Sequence, residues 1–329
     1  MTSDHYIAQT YMKSFCGNDD MLQRYFKKSV NVEATRRVPR KSVCCEEDWD
    51  KNHLLSDPQA VRKFLILYEN KWAESLAKIL SGDYSAEVKE VIAGYIFYMQ
   101  AMSPLGRERY VGVATQKIRT TIDLRYNHLL KKPSEGLSKE DREFIDAYLE
   151  IGGSSALEAN EIWVHARVVQ MLFKNYPHDT YTSAKWQILK NNTSEPFITS
   201  DHPICLLDPE QLNTRTFVPL TPKAGLLITP IPDNRHKSRI IFEAKGKIYV
   251  PTDLDEFKEI NTKHVKALNV HMIKTAKKII LTSEKSTGLK KSVEKFKDWE
   301  LQYVNSQEPT SDGGYIVGTS LRLVNNKKN

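Results

Sequence analysis

His5 and Gln9 stand four residues apart in His5-Tyr6-Ile7-Ala8-Gln9-Thr10-Tyr11-Met12-Lys13-Ser14-Phe15. On a helix that spacing puts an imidazole and a carboxamide on one face, with Tyr11 and Phe15 on a neighbouring one. So much aromatic surface predicts that the segment packs into the fold. His5 then has two readings, a proton carrier near neutral pH or a hydrogen bond to the core. The run Phe197-Ile198-Thr199-Ser200-Asp201-His202-Pro203 is an apolar strand ending in a polar tip before a proline. Asp201 there is either a catalytic carboxylate on a rigid strand end or the cap of its own turn.

Three weaker arrangements compete with plain structural readings. Glu158, Glu161 and His165 share one stripe of a helix over 154–174, a carboxylate–imidazole set for a divalent metal or simply a solvated face. Glu243-Ala244-Lys245 follows an apolar strand, as in metal-dependent nuclease cores, but Gly246 suits a hairpin turn. Arg107, Arg109, Lys117, Arg119, Arg125, Lys131 and Lys132 make the third helix basic. They suit phosphate, or an exposed helix balanced by the acidic one that follows. Phosphate-cradling glycine loops, the serine-hydrolase elbow and the kinase signatures are missing from the sequence.

The elements that must position these residues follow from periodicity. Val61, Leu65, Tyr68, Trp72, Leu76 and Ile79 mark one apolar face of a helix over 59–80, with Asp57-Pro58 at its start. Further helices are predicted over 85–101, 107–130 and from Ser138. After residue 178 the pattern changes to short strands cut by six prolines between 203 and 232. Residues 186–189 and 197–199 read as a hairpin, with further strands at 204–207, 216–218, 225–229, 240–242, 247–250 and 278–282. A helix is expected over 253–276, and a weakly ordered lysine-rich stretch after 282. The expected class is α+β: a helical half over about 1–178 packed on a mostly antiparallel sheet of short strands over about 179–325, one domain in all.

Composition narrows the class without naming an activity. The 329 residues carry 48 Lys+Arg against 41 Asp+Glu, a net +7, with 40% hydrophobic residues. That is ordinary soluble composition and excludes collagen-like, low-complexity and disulfide-dense chains. No apolar run approaches the roughly 20 residues that span a bilayer, and no signal peptide is visible at Met1-Thr2-Ser3-Asp4-His5. A cytoplasmic protein with no membrane partner is expected. Cys16, Cys44, Cys45 and Cys205 lack zinc-ligand spacing and are expected to be free thiols.

With these residues in hand the chain resembles a bacterial family known only as a domain of unknown function. That family has a His-(His/Tyr)-Ile/Val-Pro-Gln-x-Tyr-Leu-x-x-Phe opening, matched by His5, Tyr6, Ile7, Gln9, Tyr11, Met12 and Phe15, and a Phe-Ile-Thr-Ser-Asp-x-Pro segment, matched by Phe197 to Asp201 and Pro203. The resemblance spans residues 4 to 283. It adds Glu69 on one helix, Gln100 at the end of another, and Asn261 or Asn269 late in the chain. Ala8 replaces the family's proline, and Ser103-Pro104 replaces its Arg-Thr-Pro.

The resulting expectation is a metal-dependent phosphodiester hydrolase, a nuclease, serving as a toxin or phage-defence effector. Asp201, His5 and Glu69 would be catalytic, with Asp201 and Glu69 holding Mg²⁺ or Mn²⁺. Gln9, Gln100, Ser200 and His202 would bind substrate. The positive balance points to nucleic acid. The rival expectation is a non-catalytic module binding nucleic acid or protein, its polar residues forming a network between the two halves.

Overall fold

The computed structural model describes residues 3–29, 37–47, 49, 57–154, 165, 179–182, 184–207, 215–231, 256–309 and 315–327. Strand β1 (Ser3–His5) leads into the short helix α1 (Gln9–Lys13), and β2 (Met21–Phe26), β3 (Val38–Pro39) and β4 (Cys45–Glu47) follow. Helices α2 (Ala60–Leu80), α3 (Ala86–Met102), α4 (Pro104–Leu130) and α5 (Lys139–Glu150) make up the helical region. After the single turn α6 (Asp179–Thr182) come β5 (Lys185–Asn191), β6 (Thr199–Ser200), β7 (Cys205–Leu207), β8 (Arg215–Thr221), β9 (Ala224–Thr229) and β10 (Glu256–Ile260). Helix α7 (Thr262–Thr275), β11 (Ile279–Thr282), α8 (Thr287–Phe296), β12 (Trp299–Pro309) and β13 (Tyr315–Asn325) complete the chain. The class is mixed, with helices mostly in the first half and mainly antiparallel strands mostly in the second.

The apolar stripe of α2 is buried as its spacing requires, with Trp72 stacked on Tyr95 of α3 at 4.3 Å. Helix α3 is buried all round from Val88 to Met102, so it is the central helix. Gly94 allows its contact with α2, because a Cβ there would lie 2.4 Å from the Tyr68 ring. Ser103 caps α4 by accepting the Gly106 N–H at 3.2 Å, and Pro104 occupies the first turn.

The five-stranded sheet runs β10-β5-β9-β8-β7, with β10 parallel to β5 and the other pairs antiparallel. Alternate residues face opposite layers. Trp186, Ile188, Val218, Leu220, Leu226 and Ile228 pack with α2 and α3. Leu189, Phe217 and Leu227 pack with Val265, Met272 and Ile273 of α7 and with Leu289 and Val293 of α8. Covered on both faces, these strands carry apolar residues at nearly every position. A second sheet, β3-β2-β11-β6, holds the Asp201 strand end, and β1 pairs with β4.

Several expectations change. Residues 186–189 and 197–199 do not form a hairpin: β5 pairs with β9 and β10, while β6 pairs with β11. The predicted helix over 253–276 is partly strand, since 256–260 joins the sheet edge and Asn261 caps the helix that follows. The lysine-rich stretch after 282 is ordered as α8 and the β12–β13 ribbon, where amphipathic spacing outweighs the charge. The described residues among the first 47 include four strands inside the half expected to be helical. Apart from Ser154 and His165, the expected helix over 154–174 lies outside the described residues, as do the strands at 240–242 and 247–250 with Glu243 and Lys245. No helix among the described residues is long and apolar enough to cross a membrane. All four cysteines are free.

Candidate functional site

The N-terminal segment is docked. Tyr11, fully buried, donates its hydroxyl to the Pro219 carbonyl at 2.7 Å and accepts from Thr199 Oγ1 at 2.9 Å, tying α1 to the strand that precedes Asp201. Its partners explain the aromatic at that position: a buried phenol needs a polar partner at its tip. Phe15, Met12 and Ile7 fill the core beside it.

This docking leaves a half-buried row of polar side chains along α1. His5 Nε2 donates to the Lys41 carbonyl at 3.2 Å, and the Gln9 amide lies 3.1 Å and 3.4 Å from the two ring nitrogens. Thr10 donates to Glu69 Oε1 at 3.2 Å and also bonds the Tyr95 hydroxyl. Arg40 donates to the Gln9 carbonyl at 2.8 Å. Partial burial pushes the His5 pKa below its ordinary value, opposed by the Lys41 carbonyl and by Asp4 and reinforced by Arg40 and Arg62. His5 is therefore a neutral imidazole at pH 7. Of the residues picked out in the sequence, His5 meets Gln9, while Glu69 meets Thr10, the next residue of α1.

Asp201 is elsewhere in character: it is wholly buried. Its Oδ1 accepts the Lys277 N–H at 2.9 Å, and its Oδ2 accepts those of Lys278 at 2.6 Å and Ile279 at 3.3 Å. Burial pushes its pKa up, while the three amides and the nearby Lys27 pull it back. Neither oxygen faces solvent. A carboxylate so engaged pins the turn between α7 and β11.

The remaining residues are also internal. Ser200 Oγ accepts the His202 N–H at 3.1 Å and donates to Met272 Sδ at 3.1 Å. His202 Nδ1 lies 2.6 Å from Ser103 Oγ, and burial takes its pKa down to about 3. Gln100 Oε1 accepts the Tyr181 hydroxyl at 2.5 Å. His165 bonds the Ala101 backbone, its buried Nε2 has no hydrogen-bond partner among the described residues, and burial takes its pKa to about 4. Asn269 holds the Phe197–Ile198 segment that leads into β6, accepting the Ile198 N–H at 3.2 Å and donating to the Pro196 carbonyl at 2.9 Å. Asn261 caps α7.

Among the described residues no group of three or more His, Cys, Asp and Glu is arranged to hold a metal ion. The basic face of α4 is largely engaged within the fold. Arg107 lies over Trp49 at 4.6 Å, and Arg125 lies over Phe144 at 4.4 Å and pairs with Asp141 of α5 at 3.5 Å. Sequence reasoning missed Thr10, Tyr95, Lys27 and Ser103. Thr10 sits inside the quoted opening and could have been found there; Lys27, in an ordinary-looking charged pair, gave no signal.

A family described as "Protein of unknown function (DUF4238)" matches residues 4–286. The chain belongs to this family. No curated protein and no solved structure matches the chain. The DUF4238 match takes in the His5 row and the Asp201 pin, and it ends before the β12–β13 ribbon.

Proposed function

We propose that the chain is a cytoplasmic phosphodiester hydrolase acting on nucleic acid, with its working end at the His5–Gln9–Thr10–Glu69 row. The observation that carries this reading is the half-exposed His5, its pKa lowered by burial and its ring against the Gln9 amide, one residue before the Thr10 hydroxyl that bonds Glu69. A neutral imidazole takes a proton from an attacking water and returns it to the leaving oxygen. Arg40, which also pairs with Asp20 at 3.0 Å, and Arg62 place positive charge near His5 that would attract a phosphate. Glu69 is the one open carboxylate in the row. With Asp201 fully engaged by amides, Glu69 is the residue that would hold Mg²⁺ or Mn²⁺, whose chemistry would be to offset charge on the substrate's phosphate. Asp201, Ser200, His202 and Gln100 hold the frame and do not touch substrate.

A second reading, a non-catalytic module whose polar residues tie the helical and sheet halves together, is favoured by one observation: the Asp201 carboxylate is buried and satisfied by three backbone amides. Incubating the protein with RNA, single-stranded DNA and duplex DNA, with and without Mg²⁺ or Mn²⁺, separates the two. Metal-dependent cleavage that is lost in Glu69→Gln supports the hydrolase. Binding without cleavage leaves the module.

A further inference from the structure

The chain's positive charge is concentrated in one stretch. Residues 261–297, which hold α7, β11 and α8, carry ten lysines against Glu284 and Glu294, a net +8. The other 292 residues carry 38 Lys+Arg against 39 Asp+Glu, so the net +7 of the whole chain comes from this stretch alone. Val265, Met272 and Ile273 of α7 and Leu289 and Val293 of α8 face the same core cluster. The last turns of the two helices meet at one ring, with the ammonium groups of Lys274 and Lys295 at 5.2 Å and 5.3 Å from the centre of Phe296. Lysines off the buried sides therefore share one outer surface.

Part of this charge is matched within the fold. Lys277 pairs with Glu108 at 2.7 Å, Lys278 with Glu46 at 3.4 Å and Lys297 with Glu294 at 2.8 Å, while Lys274 lies 4.0 Å over Trp299. Lys263 and Lys266 of α7, Lys285 just before α8, and Lys291 and Lys295 of α8 are exposed and have no ion pair among the described residues. Helix stability does not account for three of these five. Lys263 and Lys266 stand at the start of α7, and Lys285 precedes the Ser286 cap of α8; neither helix has an acidic residue in its first turn. A helix N-terminus carries partial positive charge, so a cation there is unfavourable and an anionic ligand is favoured.

We propose that the outer face of α7 and α8 binds the phosphate backbone of nucleic acid without regard to base sequence. Ammonium groups one helical turn apart, as on Lys263 and Lys266, meet phosphates as point charges and read no bases. A bilayer fits this face less well. None of the exposed large apolar side chains among the described residues lies within 261–297, so the face offers nothing to enter the acyl region. The proposal rests on nucleic acid as the ligand in the reading above, but not on cleavage.

Fluorescence anisotropy in EDTA measures binding of a labelled DNA duplex of about 20 base pairs and a labelled RNA strand of about 20 nucleotides, from about 50 to 200 mM salt. Five phosphate contacts predict a slope of log affinity against log salt of about −4.5 on the duplex, roughly 500-fold weaker binding across that range. The triple variant Lys263→Gln, Lys266→Gln, Lys291→Gln should flatten the slope to about −2 and weaken binding by at least about tenfold at the lower salt, with the melting temperature unchanged. Lys63→Gln, Lys71→Gln, Lys78→Gln removes the same charge from exposed positions of α2 and should leave affinity and slope as in the wild type. The proposal is overturned if the wild type binds neither polymer at the lower salt or if the two triple variants weaken binding equally. It is also overturned if the α7–α8 lysines matter only for binding to vesicles of phosphatidylcholine and phosphatidylglycerol measured alongside. Cleavage assayed separately with Mg²⁺ keeps the two readings apart. An α7–α8 variant that cleaves and binds like the wild type overturns this surface and leaves the hydrolase, whereas lysine-dependent binding without any cleavage supports the surface and removes the hydrolase.

Discussion

Lys27 and Asp201 grip the two sides of one turn. The Lys27 ammonium, fully buried, donates to the carbonyls of Lys274 at 2.9 Å and Ala276 at 2.6 Å. Asp201 takes the next three amides, those of Lys277, Lys278 and Ile279. One side chain satisfies carbonyls left over at the end of α7, and the other satisfies the amides that start β11. The charges offset one another inside the fold, as their mutual effect on each pKa shows.

Asp201→Asn should therefore cost stability. It replaces one accepting oxygen with an N–H₂ group that faces a backbone donor, leaving a buried amide unpaired, a loss of about 1–3 kcal/mol. Urea unfolding of the purified variant measures it. An unchanged midpoint would show that the carboxylate is not the pin.

Lys27 gives a signature in pH. Burial takes its folded pKa down to about 8, below its ordinary 10.5. Between those values the unfolded chain binds more protons, so this group's contribution to stability rises as pH rises through the window. The stability difference between the wild type and Lys27→Met should grow from pH 8 to 10, by at most about 1.4 kcal/mol per unit. A difference that is flat or shrinks with pH would mean the ammonium is not desolvated.

His202 and His165 act at the acid end. Both are buried neutral, with folded pKa values of about 3 and about 4. Their stability contribution is complete above 6.5 and is lost as pH falls towards those values. Denaturant midpoints at pH 7, 5.5 and 4.5 should decline, and His202→Asn should decline less steeply. Parallel curves for the two proteins would contradict the burial argument.

The docked N-terminus predicts that removing residues 1–12 prevents folding, because Ile7, Tyr11 and Met12 are fully buried and Tyr11 carries two buried hydrogen bonds. Circular dichroism of the truncated protein checks this; a native-like spectrum with an unchanged melting temperature would refute it.

Much of this was legible in the sequence because it was local. The α2 stripe, the Ser138 cap of α5 and the aromatic density before Phe15 are patterns within a few residues. Which strand pairs with which was not local. β6 looks like the partner of β5 by proximity, yet it joins β11 some 80 residues on, since the two-faced sheet needs β9 beside β5. The same limit applied at the site. The Phe197–Pro203 motif marked Asp201 as special, but an acidic residue before a proline looks alike whether it faces solvent or three amides. The amides belong to residues 277–279, which carry no signal in their side chains.

The central claim is a division of labour: Glu69 works on substrate while Asp201 holds the frame. Melting and nucleic-acid cleavage measured side by side for the wild type, Glu69→Gln and Asp201→Asn test it most directly. The account predicts that Glu69→Gln melts like the wild type and loses about 100-fold in cleavage rate, the scale of a lost acid–base or metal-holding group. Asp201→Asn should melt lower yet, at a temperature where it remains folded, cleave at close to the wild-type rate. The reverse pattern, with Asp201→Asn stable and inactive, would contradict the account.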